Sequence, residues 1–157
     1  MAQKRMDPTD PHGLRHVDAL LRASMGNVAV EPHSIATLAA SARLMKFRAG
    51  QTVWRQGDHP HWFLVVARGM VKVIRHLPTG NDVALGVFGP RDAIGVMAAI
   101  DRVAYPAEAV VMSKWPEVVA VPLPVLHALI DHHPHMGRAL LTCMASHIRH
   151  LHANQCL

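Results

Sequence analysis

Cysteine is scarce in this sequence, and its two copies form no recognisable motif. Cys143 and Cys156 both lie near the C-terminus, without a C-x-x-C spacing. Two cysteines without that spacing do not suggest a disulfide framework, a structural zinc site or a cysteine-held iron–sulfur cluster. The sequence therefore argues against all three. Adjacent histidines in DHHPHM point in different directions in a turn, so we predict no metal site there either.

Long apolar runs are also missing from the chain. No run approaches the roughly 20 residues that a membrane-spanning helix needs. The first residues, MAQKRMDPTDPHGLRH, lack the apolar centre of a signal peptide. We therefore expect a cytoplasmic protein that makes no membrane contact.

Sequence patterns that support catalysis are missing as well. The chain contains no G-x-S-x-G, no P-loop and no paired acids at helical spacing. It also lacks a Cys–His pair with a supporting acid near a glycine turn. We predict that the protein is not an enzyme.

The charge of the chain is modestly positive and evenly spread. Lys and Arg number 16 against 11 for Asp and Glu, which gives a formal net charge of +5. No basic run exceeds two residues, a distribution typical of solvated strand faces. We do not expect this chain to bind DNA sequence-specifically by itself.

The apolar residues that are present suit one compact domain. Half of the 157 residues are hydrophobic, which is enough for a core. Helical spacing marks two short segments before the main body, GLRHVDALLRAS and EPHSIATLAASARLM. From Lys46 the pattern becomes strand-like, in pieces bounded by Gly, Pro, Asn and Asp: LMKFRA, QTVWRQ, WFLVVARG, MVKVIRHL, DVALGVFG, AEAVVMSK and EVVAVPL. Such short segments predict an antiparallel sandwich or roll, with a hairpin turn at LPTGND.

The last third of the chain returns to a helical pattern. LPVLHALIDHH is followed by PHMGRALLTCMASHIRHLHANQCL, which opens with proline at a favourable first-turn position. In the final helix the apolar steps of 3, 4 and 3 form a heptad seam at Leu141, Met144, Ile148 and Leu151. We interpret the seam as a homodimer contact. The alternative is a single amphipathic helix lying on its own domain.

A series of glycines punctuates the predicted roll at Gly50, Gly57, Gly69, Gly80 and Gly95. With the order of helices and strands, this series resembles the cyclic-nucleotide-binding domain of the Crp/Fnr transcription regulators, from about residue 42 to 155. The resemblance implies a mainly β (α+β) fold, an eight-stranded antiparallel jelly roll or β-roll. We expect an N-terminal helical segment over 1–41, the β-roll with short helices over 42–133, and a C-terminal dimerisation helix over 134–157. We expect no helix-turn-helix domain in this chain, so DNA contact needs such a domain elsewhere.

The stretch IGVMAAIDRVAYPAEAVV corresponds, by this resemblance, to the phosphate-binding cassette. Receptors for cyclic AMP carry Gly-Glu there, for the ribose, and later Arg-Ser, for the cyclic phosphate. Here Val96 follows Gly95, and Pro106 and Ala107 stand where Arg-Ser is expected. A buried phosphate needs a charged partner, so we predict that cyclic AMP is a poor ligand.

An apolar guest suits the remaining cassette residues better. The predicted pocket consists of Gly95, Val96, Met97, Ile100, Tyr105, Pro106 and Ala107, with Leu85, Val87 and Val110 from neighbouring strands and Leu151 and His152 from the closing helix. The resemblance extends to regulators that respond to nitric oxide or redox signals, some with haem. Haem is therefore a candidate cofactor, with His147 and His150 as candidate ligands.

These features predict the ligand-sensing effector domain of a Crp/Fnr-type transcription regulator. Its effector would be a small molecule other than cyclic AMP, such as haem with nitric oxide, and the dimer helix would transmit the signal. Two alternatives stay open: a genuine cyclic-nucleotide-binding domain with an atypical pocket, and a ligand-free interaction or dimerisation module.

Overall fold

The predicted strand and helix segments form a roll with helices packed against one sheet. The computed structural model describes residues 2–5, 11–26 and 30–155, with side chains described for 16–26 and 30–151. The strands within these ranges are β1 (Ala2–Arg5), β2 (Arg43–Lys46), β3 (Thr52–Trp54), β4 (Trp62–Arg68), β5 (Val71–His76), β6 (Asp82–Phe88), β7 (Ala93–Ile94), β8 (Glu108–Val111) and β9 (Glu117–Pro122). The helices are α1 (Pro11–Ser24), α2 (Pro32–Ser41), α3 (Val96–Asp101), α4 (Leu123–His132) and α5 (Pro134–Gln155).

The strands form two antiparallel sheets. One has the order β1-β2-β9-β4-β7 and the other the order β3-β8-β5-β6. Strands β2 to β9 are the eight strands of the predicted roll, which confirms the predicted fold class. The structure adds β1 inside the segment that we expected to be helical, because its backbone pairs with β2 from Ala2 opposite Lys46 to Arg5 opposite Arg43.

Strand β4, between β9 and β7, is buried on both faces, and its alternate side chains enter two different cores. Phe63 and Val65 pack with the helices, in a core that includes Leu21, Ile35, Leu38, Leu126 and Met136. Leu64 and Val66 point into the roll, beside Trp54 and Phe88. Period-two alternation explains the split, since successive strand residues face opposite sides of a sheet. The roll therefore has its own interior core, separate from the helical layer.

Helices α1, α2, α4 and α5 overlap the four segments with helical spacing, whereas α3 was not marked by such spacing. Proline occupies the start of α2 and α5, as the first-turn preference predicts. No helix within the described residues combines the length and the apolar character needed to cross a membrane.

The predicted hairpin joins β5 to β6. Gly80 has a φ of +87°, and its N–H donates to the Leu77 carbonyl at 3.0 Å. Beside the hairpin, His76 bridges two carboxylates. Its Nδ1 lies 2.7 Å from Asp82 Oδ1, and its Nε2 lies 2.6 Å from Glu108 Oε2. The side-chain hydrogen bonds of Asp82 and then Glu108 raise the pKa of His76 above its ordinary value of 6.5.

The raised pKa of His76 predicts a pH-dependent contribution to stability. The contribution is fully present below the unfolded-state pKa, near 6.5, and is lost as pH rises through the higher folded-state pKa. His76→Gln should therefore lower the free energy of unfolding more at about pH 6 than at about pH 9. Urea unfolding at both values measures this difference. The exposed His59 offers the control His59→Gln, and an equal loss for His76→Gln at both pH values would contradict the prediction.

Candidate functional site

The cassette begins at the junction of β7 and α3, where the backbone takes a left-handed turn. Gly95 caps α3 with a φ of +64°. A Cβ at this position would lie 2.8 Å from Tyr105 Cε1 and 3.1 Å from Trp54 Cη2. Glycine is therefore required both by the backbone conformation and by two aromatic rings that press against it.

The two rings against Gly95 form a buried stack. The centroids of Trp54 and Tyr105 are 4.2 Å apart, and their planes differ by 12°. The indole Nε1–H of Trp54 donates to the Ala107 carbonyl at 2.7 Å. Burial, with a smaller effect of Asp58, raises the pKa of Tyr105 to about 12. The stack therefore fills the middle of the cassette with neutral aromatic surface.

A small apolar cavity of about 60 Å³ remains beside the stack. It brings together most of the predicted pocket residues: Leu85, Gly95, Val96, Met97, Tyr105, Pro106, Ala107 and Leu151. The structure adds Trp54, Val73, Ala98 and His147 to this lining. None of the lining residues is an acid, an arginine or a lysine, so the cavity offers no formal charge to a bound phosphate.

Several predicted pocket residues lie elsewhere. Ile100 packs against the helical core because α3 turns that side chain away from the roll. Val87 and Val110 do not line the cavity, and the Val87 carbonyl contacts His150 Nε2. His152 lies in α5, but its side chain is outside the described residues. Met97 lines the cavity and is nevertheless 45% exposed, so it sits at the mouth.

The two histidines proposed as haem ligands lie on the inner face of α5. Both rings stack on Phe88, with centroid distances of 5.1 Å for His147 and 4.5 Å for His150. Burial lowers the pKa of His147, despite an opposing hydrogen bond to the Ala93 backbone. Burial therefore favours the neutral form of His147.

Haem does not fit the cassette in this conformation. Pockets for small molecules and cofactors usually have volumes of at least about 300 Å³, and the cavity here has about 60 Å³. Admitting a macrocycle would require displacement of the Trp54–Tyr105 stack.

The predicted heptad seam does not face one direction. Leu141 and Ile148 point outward and are 72% and 56% exposed. Met144 packs against the helical core, and Leu151 packs against the core inside the roll. The apolar surface available to a second copy is therefore narrower than the sequence pattern indicated.

Gly95→Ala should destabilise the domain by about 2–4 kcal/mol, because left-handed strain and an overpacked Cβ both contribute. The contact with the two rings, at 2.8 and 3.1 Å, is the source of the overpacking. Gly50→Ala is the matched control, since Gly50 also has a positive φ of +83° but has no atom within 4 Å of the added Cβ. Urea unfolding compares the two, and equal losses would show that packing on Gly95 contributes nothing.

A match to a known protein family decides which family this chain belongs to. The family described as "Cyclic nucleotide-binding domain" matches residues 44–133. The chain belongs to this family. The match covers the roll from β2 to the end of α4, including the whole cassette.

Relatives of this cyclic nucleotide-binding domain are transcription regulators. The CRP-like cAMP-activated global transcriptional regulator of Mycobacterium tuberculosis is 26% identical over 125 residues, which cover 80% of this chain and 55% of that protein. The chain thus spans about half the length of the curated relatives it matches. The names of these relatives describe a transcriptional regulator and name no enzyme activity.

Solved structures of other regulators share the fold. The N-terminal domain of a transcriptional regulator from Streptomyces coelicolor A3(2) has a TM-score of 0.67 at 27% identity, covering 83% of this chain and 92% of that chain. The sensor domain of the transcriptional regulator DNR from Pseudomonas aeruginosa has a TM-score of 0.73 at 23% identity, covering 86% and 90%. At the latter identity the likeness concerns the fold alone.

Proposed function

We propose that this cyclic nucleotide-binding domain is the effector domain of a Crp/Fnr-type transcription regulator that does not use a cyclic nucleotide as its tight-binding signal. The observation that carries the proposal is the cassette itself, which is uncharged and filled by the Trp54–Tyr105 stack. In this proposal the effector is an apolar molecule much smaller than a nucleotide or haem, since the cavity has about 60 Å³. DNA recognition belongs to a helix-turn-helix domain, and the present chain contributes the sensing.

Electrostatics support the exclusion of cyclic nucleotides. A cyclic phosphate is a monoanion, and each hydrogen bond from a charged partner contributes about 1.5–3 kcal/mol. Val96, Pro106 and Ala107 line the cavity at the positions where the resemblance implies charged or hydroxyl contacts. Losing two charged contacts weakens binding by at least about 100-fold.

Space supports the same conclusion. A nucleotide requires a pocket nearer to the usual lower limit of about 300 Å³, whereas this cavity has about 60 Å³. Moving Trp54 aside would break its hydrogen bond to Ala107 and its stack on Tyr105. Nucleotide entry therefore carries a packing cost in addition to the missing counter-charge.

Helix α5 is the element placed to transmit a signal from the cassette. Leu151 and His147 on this helix line the cavity directly, while Leu141 and Ile148 face outward. An effector that binds more tightly to one placement of Leu151 shifts the equilibrium between two positions of α5. The size of the shift is set by the difference in its affinity for the two positions. A homodimer through the outward face would convert the shift into a change between subunits.

A second candidate function is a ligand-free interaction module. The favouring observation is that Trp54 already has its packing and hydrogen-bond partners inside the domain. In that case the stack is a permanent part of the core, and α5 only joins two copies.

Thermal and chemical unfolding in the presence of ligands tests the proposal. A ligand at 1,000 times its dissociation constant stabilises a protein by about 4.1 kcal/mol, so about 1 mM cyclic AMP would give this effect at a micromolar site. We expect about 0.5 kcal/mol or less from cyclic AMP and cyclic GMP, which corresponds to millimolar or weaker binding. The cAMP-activated relative from Mycobacterium tuberculosis is the positive control. Micromolar stabilisation of the present chain would contradict the proposal.

A further inference from the structure

A second cavity, separate from the cassette, lies between the end of α1, the segment that follows β6 and the middle of α5. Its volume is about 290 Å³, roughly five times that of the cassette cavity. Ser24, Arg91, Asp92, Ser146, His147 and His150 supply its polar lining. The proposed function does not use this space.

The cavity carries one formal charge of each sign. Arg91 is held in a left-handed conformation, with a φ of +76°, and its guanidinium makes no ion pair among the side chains that the structure describes. Asp92 is half-buried, and its Oδ2 accepts a hydrogen bond from the Gly89 N–H at 2.8 Å. The two charges sum to zero, so the cavity complements a ligand that carries both signs rather than a simple anion or cation.

His147 lines the same cavity and has an unpaired ring nitrogen. Its Nδ1 is buried without a hydrogen-bond partner. A neutral histidine ring carries one donor and one acceptor nitrogen, so Nδ1 has an unused hydrogen-bonding function. Because buried polar atoms are nearly always paired, this nitrogen indicates a missing hydrogen-bond partner.

We propose that this cavity binds a small zwitterion of the α-amino acid type. Its carboxylate would pair with the Arg91 guanidinium, and its ammonium group would donate to Asp92 and to Nδ1 of His147. Arginine forms strong charge-assisted bonds to carboxylates, and the paired opposite charges orient the ligand. His147 also lines the cassette cavity, so an occupant here contacts the same face of α5 that borders the cassette.

Calorimetric titration of the full chain with L-serine tests the assignment. We expect saturable binding, with weaker binding of L-lactate, which lacks the ammonium group, and none of propionate. Arg91→Gln should weaken L-serine binding by at least about tenfold, and His147→Phe should also weaken it while keeping the stack on Phe88. Arg75→Gln is the matched control, since Arg75 is exposed on β5, away from the cavity. Melting temperatures establish that each variant is folded.

Three results would overturn the assignment. The first is no saturable heat with L-serine or glycine up to about 10 mM. The second is equal binding of L-serine and L-lactate, and the third is an equal effect of Arg91→Gln and Arg75→Gln. Cyclic nucleotide binding to the cassette would refute the proposed function and leave this site standing, so the two proposals fail separately.

Discussion

Trp54→Ala is expected to lower the free energy of unfolding by about 3–5 kcal/mol, the range typical of a large aromatic side chain removed from a core. Trp54 is only 7% exposed, stacks on Tyr105 and donates its indole N–H to Ala107. Its removal leaves a cavity beside Gly95 and leaves the Ala107 carbonyl without the indole donor. Urea unfolding followed by circular dichroism measures the loss.

The matched control for Trp54 is Trp115, which is 68% exposed in the turn before β9. Trp115→Ala removes the same side chain from the surface, where substitutions usually change stability by no more than about 0.5 kcal/mol. If Trp54→Ala cost no more than Trp115→Ala, the stack would not be a structural part of the cassette.

The double substitution Leu141→Asp and Ile148→Asp is expected to turn a dimer into a monomer. These residues lie two helical turns apart on the outward face of α5 and are 72% and 56% exposed in the single chain. Packed against a second copy, the two carboxylates would be desolvated without partners, which should weaken association by at least about 100-fold. Sedimentation velocity at several protein concentrations measures the change.

The melting temperature and a surface control variant distinguish a loss of dimerisation from misfolding. Because both side chains are exposed in the monomer, the melting temperature of the double variant at low concentration should match that of the wild-type monomer. Val103→Asp introduces a carboxylate at another exposed apolar residue, which is 61% accessible and lies outside α5, and should leave association unchanged. A wild-type chain that sediments as a monomer at every concentration would refute the dimer proposal.

Much of the fold could be predicted because its signals are local. Alternation in β4 and β9, glycine at the reversals and helical spacing in α1, α2, α4 and α5 all lie within short windows. Strands β1 and β7 could not be predicted in this way. Residues Ala93–Ile94 are too few to show a period, and Ala2–Arg5 becomes a strand only through its pairing with β2.

The sequence predicted which residues form the cassette better than it predicted how they contact one another. The absence of charge at Val96, Pro106 and Ala107 follows directly from the sequence, and the structure brings these residues to one cavity. Trp54 was missed because its hydrogen bond to Ala107 spans 53 residues of sequence. That contact depends on the pairing of β3 with β8, which no local pattern specifies.

The buried face of α5 was also incompletely predicted, although the sequence contains the pattern that identifies it. The inward stripe of this helix runs through Met136, Leu140, Cys143 and His147, with steps of 4, 3 and 4. The heptad through Leu141 is the neighbouring stripe. A comparison of the two stripes would have predicted that His147 faces the roll. Because the inward stripe has a histidine where an apolar residue is expected, hydrophobicity alone does not identify it.

The most direct test of the uncharged, filled cassette is the indole N–H resonance of Trp54 during a titration with cyclic AMP. This proton is bonded to Ala107 inside the cassette, so a nucleotide seated there must move its signal, while Trp62 and Trp115 serve as internal references. The account predicts that the Trp54 signal stays in place up to about 1 mM cyclic AMP. A saturable shift of that signal with a micromolar midpoint would contradict it.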